Sequence, residues 1–129
     1  WLAYARHWNG ETEAAREAWD RLVSVAEPRL EVNPENHDVL CALAEAHVAL
    51  GELDQGRAYL DNLMALSPPE PYNLYYAGRA YEMLGSRNAA IALIRRALED
   101  GFDRTLAAND PWLADLRTDP RFQEYMAGW

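Results

Sequence analysis

Tyr72, Tyr75 and Arg79 are spaced three and four residues apart, so a helix would present all three on one face. Aromatic rings beside a guanidinium suit recognition chemistry: the rings bury apolar surface and the guanidinium binds a carboxylate. By helical phase Tyr76 and Tyr81 lean toward a core, while Tyr72 and Tyr75 point toward an open groove. The alternative is structural, with these rings packed on a neighbouring segment and Arg79 paired with Glu45 or Glu82. Cys41 follows His37 by four residues, the spacing at which an imidazole activates a thiol. Asp38 lies beside it, however, and nothing nearby suggests an oxyanion hole, so nucleophilic catalysis is not the reading. His7, His37 and His47 are too dispersed for a metal site. No metal and no cofactor is expected.

Composition narrows the chemistry further. All 12 basic residues are Arg, and without Lys there is no phosphate-loop lysine, kinase strand lysine or Schiff base. A formal net charge of -9 repels phosphate backbones and anionic lipid, so neither nucleic acid nor a membrane is an expected partner. With no acid, base and nucleophile converging, an enzyme is not expected. The single cysteine among 129 residues fits a reducing compartment, and no apolar run or leader pattern is present, so a cytoplasmic location is expected. The chain opens at Trp1 inside a helical pattern and lacks an initiator Met, which reads as a piece of a longer protein that could itself be membrane-anchored.

The elements that position these residues are helices. Apolar residues fall three and four apart, Gly or Pro punctuates each segment, and no stretch alternates as a strand. Residues 40–63 repeat 34 residues later: Leu40, Leu43-Ala44, Ala46-His47, Leu50-Gly51, Gly56, Leu60 and Leu63 recur as Leu74, Ala77-Gly78, Ala80-Tyr81, Leu84-Gly85, Ala90, Ile94 and Ala97. Pro34 and Pro68 keep the same interval. One unit should open at Asn33-Pro34 and hold helices to 50 and over 53–66. The next should hold helices over 71–84 and 88–99, with Gly101 beyond the end. Ala44 and Gly56, then Gly78 and Ala90, stand where paired helices approach closely.

Residues 2–22 match the same pattern only at a shift of 41, which implies seven extra residues before Asn33. Seven is two helical turns, so a lengthened helix keeps its inner face, with Pro28 expected to kink or interrupt it. After Gly101 the repeat ends. Asp110-Pro111 and Asp119-Pro120 each pair a capping carboxylate with a first-turn proline, and each should start a short helix. Phe102, Leu106, Trp112, Leu113, Leu116, Phe122, Tyr125 and Met126 make this tail a lid for an exposed apolar end. Trp19 and Trp112 read as core, and Trp1 and Trp129 as marks of a lost interface. Glu11, Glu13 and Glu17, and the Arg95-Arg96 pair, read as solvated outer surface.

Leu43-Ala44, His47, Gly51, Gly56, Leu60, Leu63 and Pro68, with their partners 34 residues on, resemble the tetratricopeptide repeat family. His47 stands where that family favours an aromatic, and Phe102 where it closes on Pro. The tail from Asp110 to Phe122 resembles a closing segment of bacterial multidomain signalling proteins, such as serine/threonine kinases and transcriptional or cyclase regulators. The resemblance implies an all-α, right-handed superhelix of about three helix pairs (1–32, 33–69 and 70–101) with a helical cap over 102–129. It implies a concave face lined by Asp38, Cys41, Glu45, Val48 and Ala49, then Tyr72, Tyr75, Arg79, Glu82 and Met83. Members that clamp a C-terminal carboxylate use Lys, Asn and Arg there. With Arg79 the single cation, that function does not carry over. The expected function is a scaffold that binds protein or peptide in the groove between Glu45 and Arg79. The alternative is a structural module packed on its own parent chain or on a second copy as a homodimer.

Overall fold

A computed structural model describes residues 12–66 and 69–128. Expectations that fall on residues 1–11, 67–68 and 129 (the clipped first helix, His7, the Pro34–Pro68 interval, and the roles of Trp1 and Trp129) lie outside the described residues. All regular structure among the described residues is helical. The chain divides into two compact units, 1–68 and 69–129.

The first unit holds α1 (Thr12–Val32), α2 (His37–Ala49) and α3 (Leu53–Ala65), with α2 packed on both others. Trp19 meets Ala46 and Leu50, and Ala26 meets Val39 and Leu43. Ala26 and Leu30 lie in the added segment and keep the face of Ala15, Trp19 and Leu22 turned inward, as two extra turns should. Pro28 does not interrupt α1, which runs on to Val32. Leu30 packs against the Ala26–Val39–Leu43 cluster, so burial beyond the proline holds the last turn in place. The start of α2 also departs from expectation. Asn33 Oδ1 accepts from the Glu35 N–H at 3.2 Å, which makes 33–36 a turn. Asn36 then takes the capping role, accepting from the Val39 N–H at 3.2 Å.

The second unit holds α4 (Pro71–Met83), α5 (Arg87–Glu99), α6 (Arg104–Asn109), two 3-10 turns (Pro111–Leu113 and Leu116–Thr118) and α7 (Pro120–Ala127). Within their own units, α2–α3 and α4–α5 share one plan. In the first, the Gly51 N–H donates to Val48 O at 3.0 Å and the Glu52 N–H to His47 O at 2.8 Å. In the second, the Gly85 N–H donates to Glu82 O and the Ser86 N–H to Tyr81 O, both at 2.9 Å. Both glycines sit at φ 83°, where an L side chain is strained. The helix contacts match as well. A Cβ on Gly56 would stand 3.1 Å from Ala44 O, and one on Gly78 would stand 3.2 Å from Ala90 O. The small residues expected at the crossings are therefore the points of contact, with Gly on the second helix of one pair and on the first helix of the other.

Candidate functional site

In the second unit the tail turns back onto α4. Asp110 is buried, and its two oxygens have separate tasks. Oδ1 accepts from the Trp112 N–H at 2.9 Å, the expected cap of a proline-led turn. Oδ2 accepts from the Tyr75 hydroxyl at 2.6 Å and from Arg79 Nη1 at 3.0 Å. Tyr75 is 1% exposed and Arg79 6%. Phe102 stacks on Tyr75 with ring centroids 4.1 Å apart, and Arg79 lies 4.5 Å over the Tyr76 ring. Burial, then the Asp110 hydrogen bond, push the Tyr75 phenol far above its ordinary value, so it stays a donor. Arg117 Nη1 donates to Asp110 O at 2.6 Å and to Ala107 O at 3.2 Å, which fixes the tail backbone behind the carboxylate.

The outward orientation expected for Tyr75 and Arg79 is therefore corrected. Helical phase placed them on a ligand face, and the chain's own Phe102 and Asp110 cover that face. Tyr72 is 55% exposed and lies at the flank of this cluster, 4.6 Å from Tyr76, itself half-buried rather than core. Tyr81 is buried as expected, and Trp112 is only half-buried. Leu113, Leu116 and Phe122 form the buried side of the tail, whereas Leu106 is 56% exposed. The start of α6 went unread in the sequence. Asp103 caps it, accepting from the Thr105 N–H at 2.8 Å, and an Asp two residues beyond Gly101 is the signal that marked it.

The second Asp-Pro pair behaves like the first. Asp119 Oδ1 accepts from the Arg121 N–H at 2.9 Å to start α7, and Oδ2 lies 3.5 Å from Arg87 Nη1. Arg87 holds both Glu82 oxygens at 2.7 Å, so Glu82, expected to line a groove, is half-buried in an ion pair at the α4–α5 turn. Met83 beside it is half-buried too. Arg121, through its side chain first and its backbone N–H second, holds the Asp119 carboxyl down to about 2 from the ordinary 3.8. A depressed carboxyl favours the fold while ionised. Its contribution is complete above about 3.8 and is lost as pH falls through about 2. An NMR titration of the Asp119 carboxyl carbon should have its midpoint near 2, and Arg121→Ala should return it toward 3.8. A wild-type midpoint already at 3.8 would mean the pairing does not persist in solution.

In the first unit Asp38 is exposed, Cys41 and Glu45 are buried, Val48 is buried and Ala49 half-buried. Burial, reinforced by Asp38, pushes the Cys41 thiol up to about 12, the opposite of what a nucleophile or metal ligand needs. Native protein should accordingly react with a disulfide reagent at least about tenfold more slowly than unfolded protein at pH 8. Equal rates would place the thiol at the surface. His47 is buried and stacks on Tyr59 with centroids 5.4 Å apart, a packing role in keeping with its place in the repeat. Its ring nitrogens face Glu27 Oε1 at 3.9 Å and Glu52 Oε2 at 3.6 Å.

Of the seven residues expected to grip a peptide, then, only Asp38 and Tyr72 are exposed. Among the described residues no group of three or more His, Cys, Asp or Glu is placed to hold a metal ion, and no helix is long and apolar enough to cross a membrane. Comparison with protein-family models, curated proteins and solved structures finds no match to the chain.

Proposed function

We propose that the chain is a tetratricopeptide-type interaction module, a scaffold that binds another protein, whose last helix pair is closed by the chain's own tail. The carrying observation is the shared plan of α2–α3 and α4–α5, down to the same glycine-terminated turn and the same small-residue crossing. Units of that kind, used in series, bury one another's apolar faces and offer extended surface for recognition instead of an enclosed catalytic cavity. The lack of lysine and the acidic balance favour a protein partner over phosphate-bearing ones.

The test is affinity capture on the immobilised chain, with quantitative mass spectrometry and an unfolded control. A protein retained near equimolar ratio by the folded chain alone is the expected result. That retention should survive Tyr75→Phe, because Tyr75 serves the fold and does not touch a ligand. A folded chain that retains nothing and remains monomeric by light scattering would overturn the reading.

One observation favours a second reading, that of a structural module packed on its own parent chain or on a second copy. Asp110 occupies the Tyr75–Arg79 face that a peptide would need. A concentration-dependent dimer without a heterologous partner would decide for that reading.

A further inference from the structure

His47 is 6% exposed, and among the described residues neither of its ring nitrogens has a hydrogen-bond partner. Two orphaned polar atoms at that depth call for a reason. Tyr59 of α3 holds the ring in place, stacked at 5.4 Å with 22° between the planes, which sets the direction of both nitrogens. Nε2 faces Glu27 Oε1 of α1 at 3.9 Å, and Nδ1 faces Glu52 Oε2 of the α2–α3 turn at 3.6 Å. α2 packs on α1 and α3, so Glu27, Glu52 and Tyr59 are the titratable groups that meet the ring from the elements around it. The two glutamate side chains are 50% and 55% exposed, free to swing the last gap of about 1 Å to hydrogen-bond distance. Among the described residues no arginine is paired with either of them. The arrangement is particular to the first unit. Thirty-four residues on, Tyr81 stands for His47 and Ser86 for Glu52, and Glu27 lies in the added turns of α1.

A neutral imidazole carries one N–H and one lone pair, so it can satisfy one of two carboxylates and turns a lone pair toward the other. A protonated imidazole donates to both. Burial penalises the cation, and two facing carboxylates offset that penalty. We infer that His47 is a proton-operated clasp of the first unit. With the second proton in place the ring ties α1, through Glu27, to the α2–α3 turn, through Glu52. When that proton leaves, one of the two ties is released and α1 is held by its apolar face alone or with one bond. A histidine ordinarily changes charge between about pH 5 and 8, a range in which glutamates stay ionised. The fold with both glutamates takes up the proton more readily than the same fold without them, so their contribution grows as pH falls across that range.

The test is amide hydrogen exchange on the full chain at about pH 5.5 and about pH 8, read as protection factors so that the intrinsic rate cancels. The Glu27→Gln, Glu52→Gln double variant keeps both side-chain shapes and removes both charges. Wild type should protect α1 better than the variant, by a margin about fivefold larger at the lower pH, while α7 in the second unit is unchanged. With His47→Phe introduced into both chains, the margin should be the same at the two pH values. A margin that ignores pH while His47 is present, or one that still follows pH after His47→Phe, would overturn the proposal. NMR of the wild type keeps it testable even where His47→Phe does not fold. The carboxyl carbons of Glu27 and Glu52 should shift in step with the His47 ring nitrogens between the two pH values. Carboxyl signals that stay still while the ring titrates would overturn the clasp, as would a ring that does not titrate there.

Discussion

Asp110→Ala is expected to cost about 3–5 kcal/mol of unfolding free energy. The change leaves the Arg79 guanidinium in a buried site without the carboxylate 3.0 Å away, and removes the acceptor of the Tyr75 hydroxyl. Removing one member of a buried pair costs far more than the pair contributes, because the surviving charge remains desolvated. Part of the loss, about 1 kcal/mol, is the missing cap on the Trp112 N–H. Tyr75→Phe should cost only about 1 kcal/mol, since Arg79 still satisfies the carboxylate. Adding Arg79→Met to Asp110→Ala should recover part of the loss, because the buried guanidinium that lost this carboxylate is then gone as well. Urea unfolding followed by tryptophan fluorescence measures all three variants against the wild type. A cost below about 1 kcal/mol for Asp110→Ala is the signature of an exposed ion pair and would refute a closed tail.

Gly78→Ala should destabilise by about 1–3 kcal/mol, although the same change in a free helix gains about 1 kcal/mol. The added Cβ would lie 2.7 Å from Ile94 Cγ1 and 3.2 Å from Ala90 O, so α4 and α5 must separate. Backbone cannot step aside, and Ile94 is fully buried. Gly85→Ala should cost about 1–2 kcal/mol for a different reason. Its φ of 83° strains an L residue, although nothing lies within 4 Å of the new methyl. The two substitutions can be told apart by a second change. Ile94→Ala, which removes Cγ1, is expected to reduce the penalty at 78, whereas the penalty at 85 should be independent of it. A gain in stability from Gly78→Ala would mean that the helices do not cross at that point.

Local rules left a clear trace in this chain. The 34-residue echo marked both helix pairs, their glycine turns and their close crossings, because each depends on residues a few positions apart. The seven-residue extension was readable for the same reason, since two helical turns preserve phase whatever surrounds them. Asp110 and Asp119 were legible as caps, for a cap needs only the next two residues. The beginning of α2 slipped because Asn33 and Asn36 are equally good caps, and the turn between them decided which one served.

What the sequence alone determined is an acidic, lysine-free, all-helical chain with a repeated pair and a capped tail. The tertiary structure decided which surfaces remain open. Tyr75 and Arg79 share a helical face, but phase says nothing about what comes back to cover it. Asp110, thirty-one residues after Arg79, makes that face interior. The same folding back sets α7 beside Arg95 and Arg96 and turns a patch of ordinary surface into a groove. Helical periodicity is fixed by neighbours along the chain, whereas exposure depends on contacts between segments far apart in it.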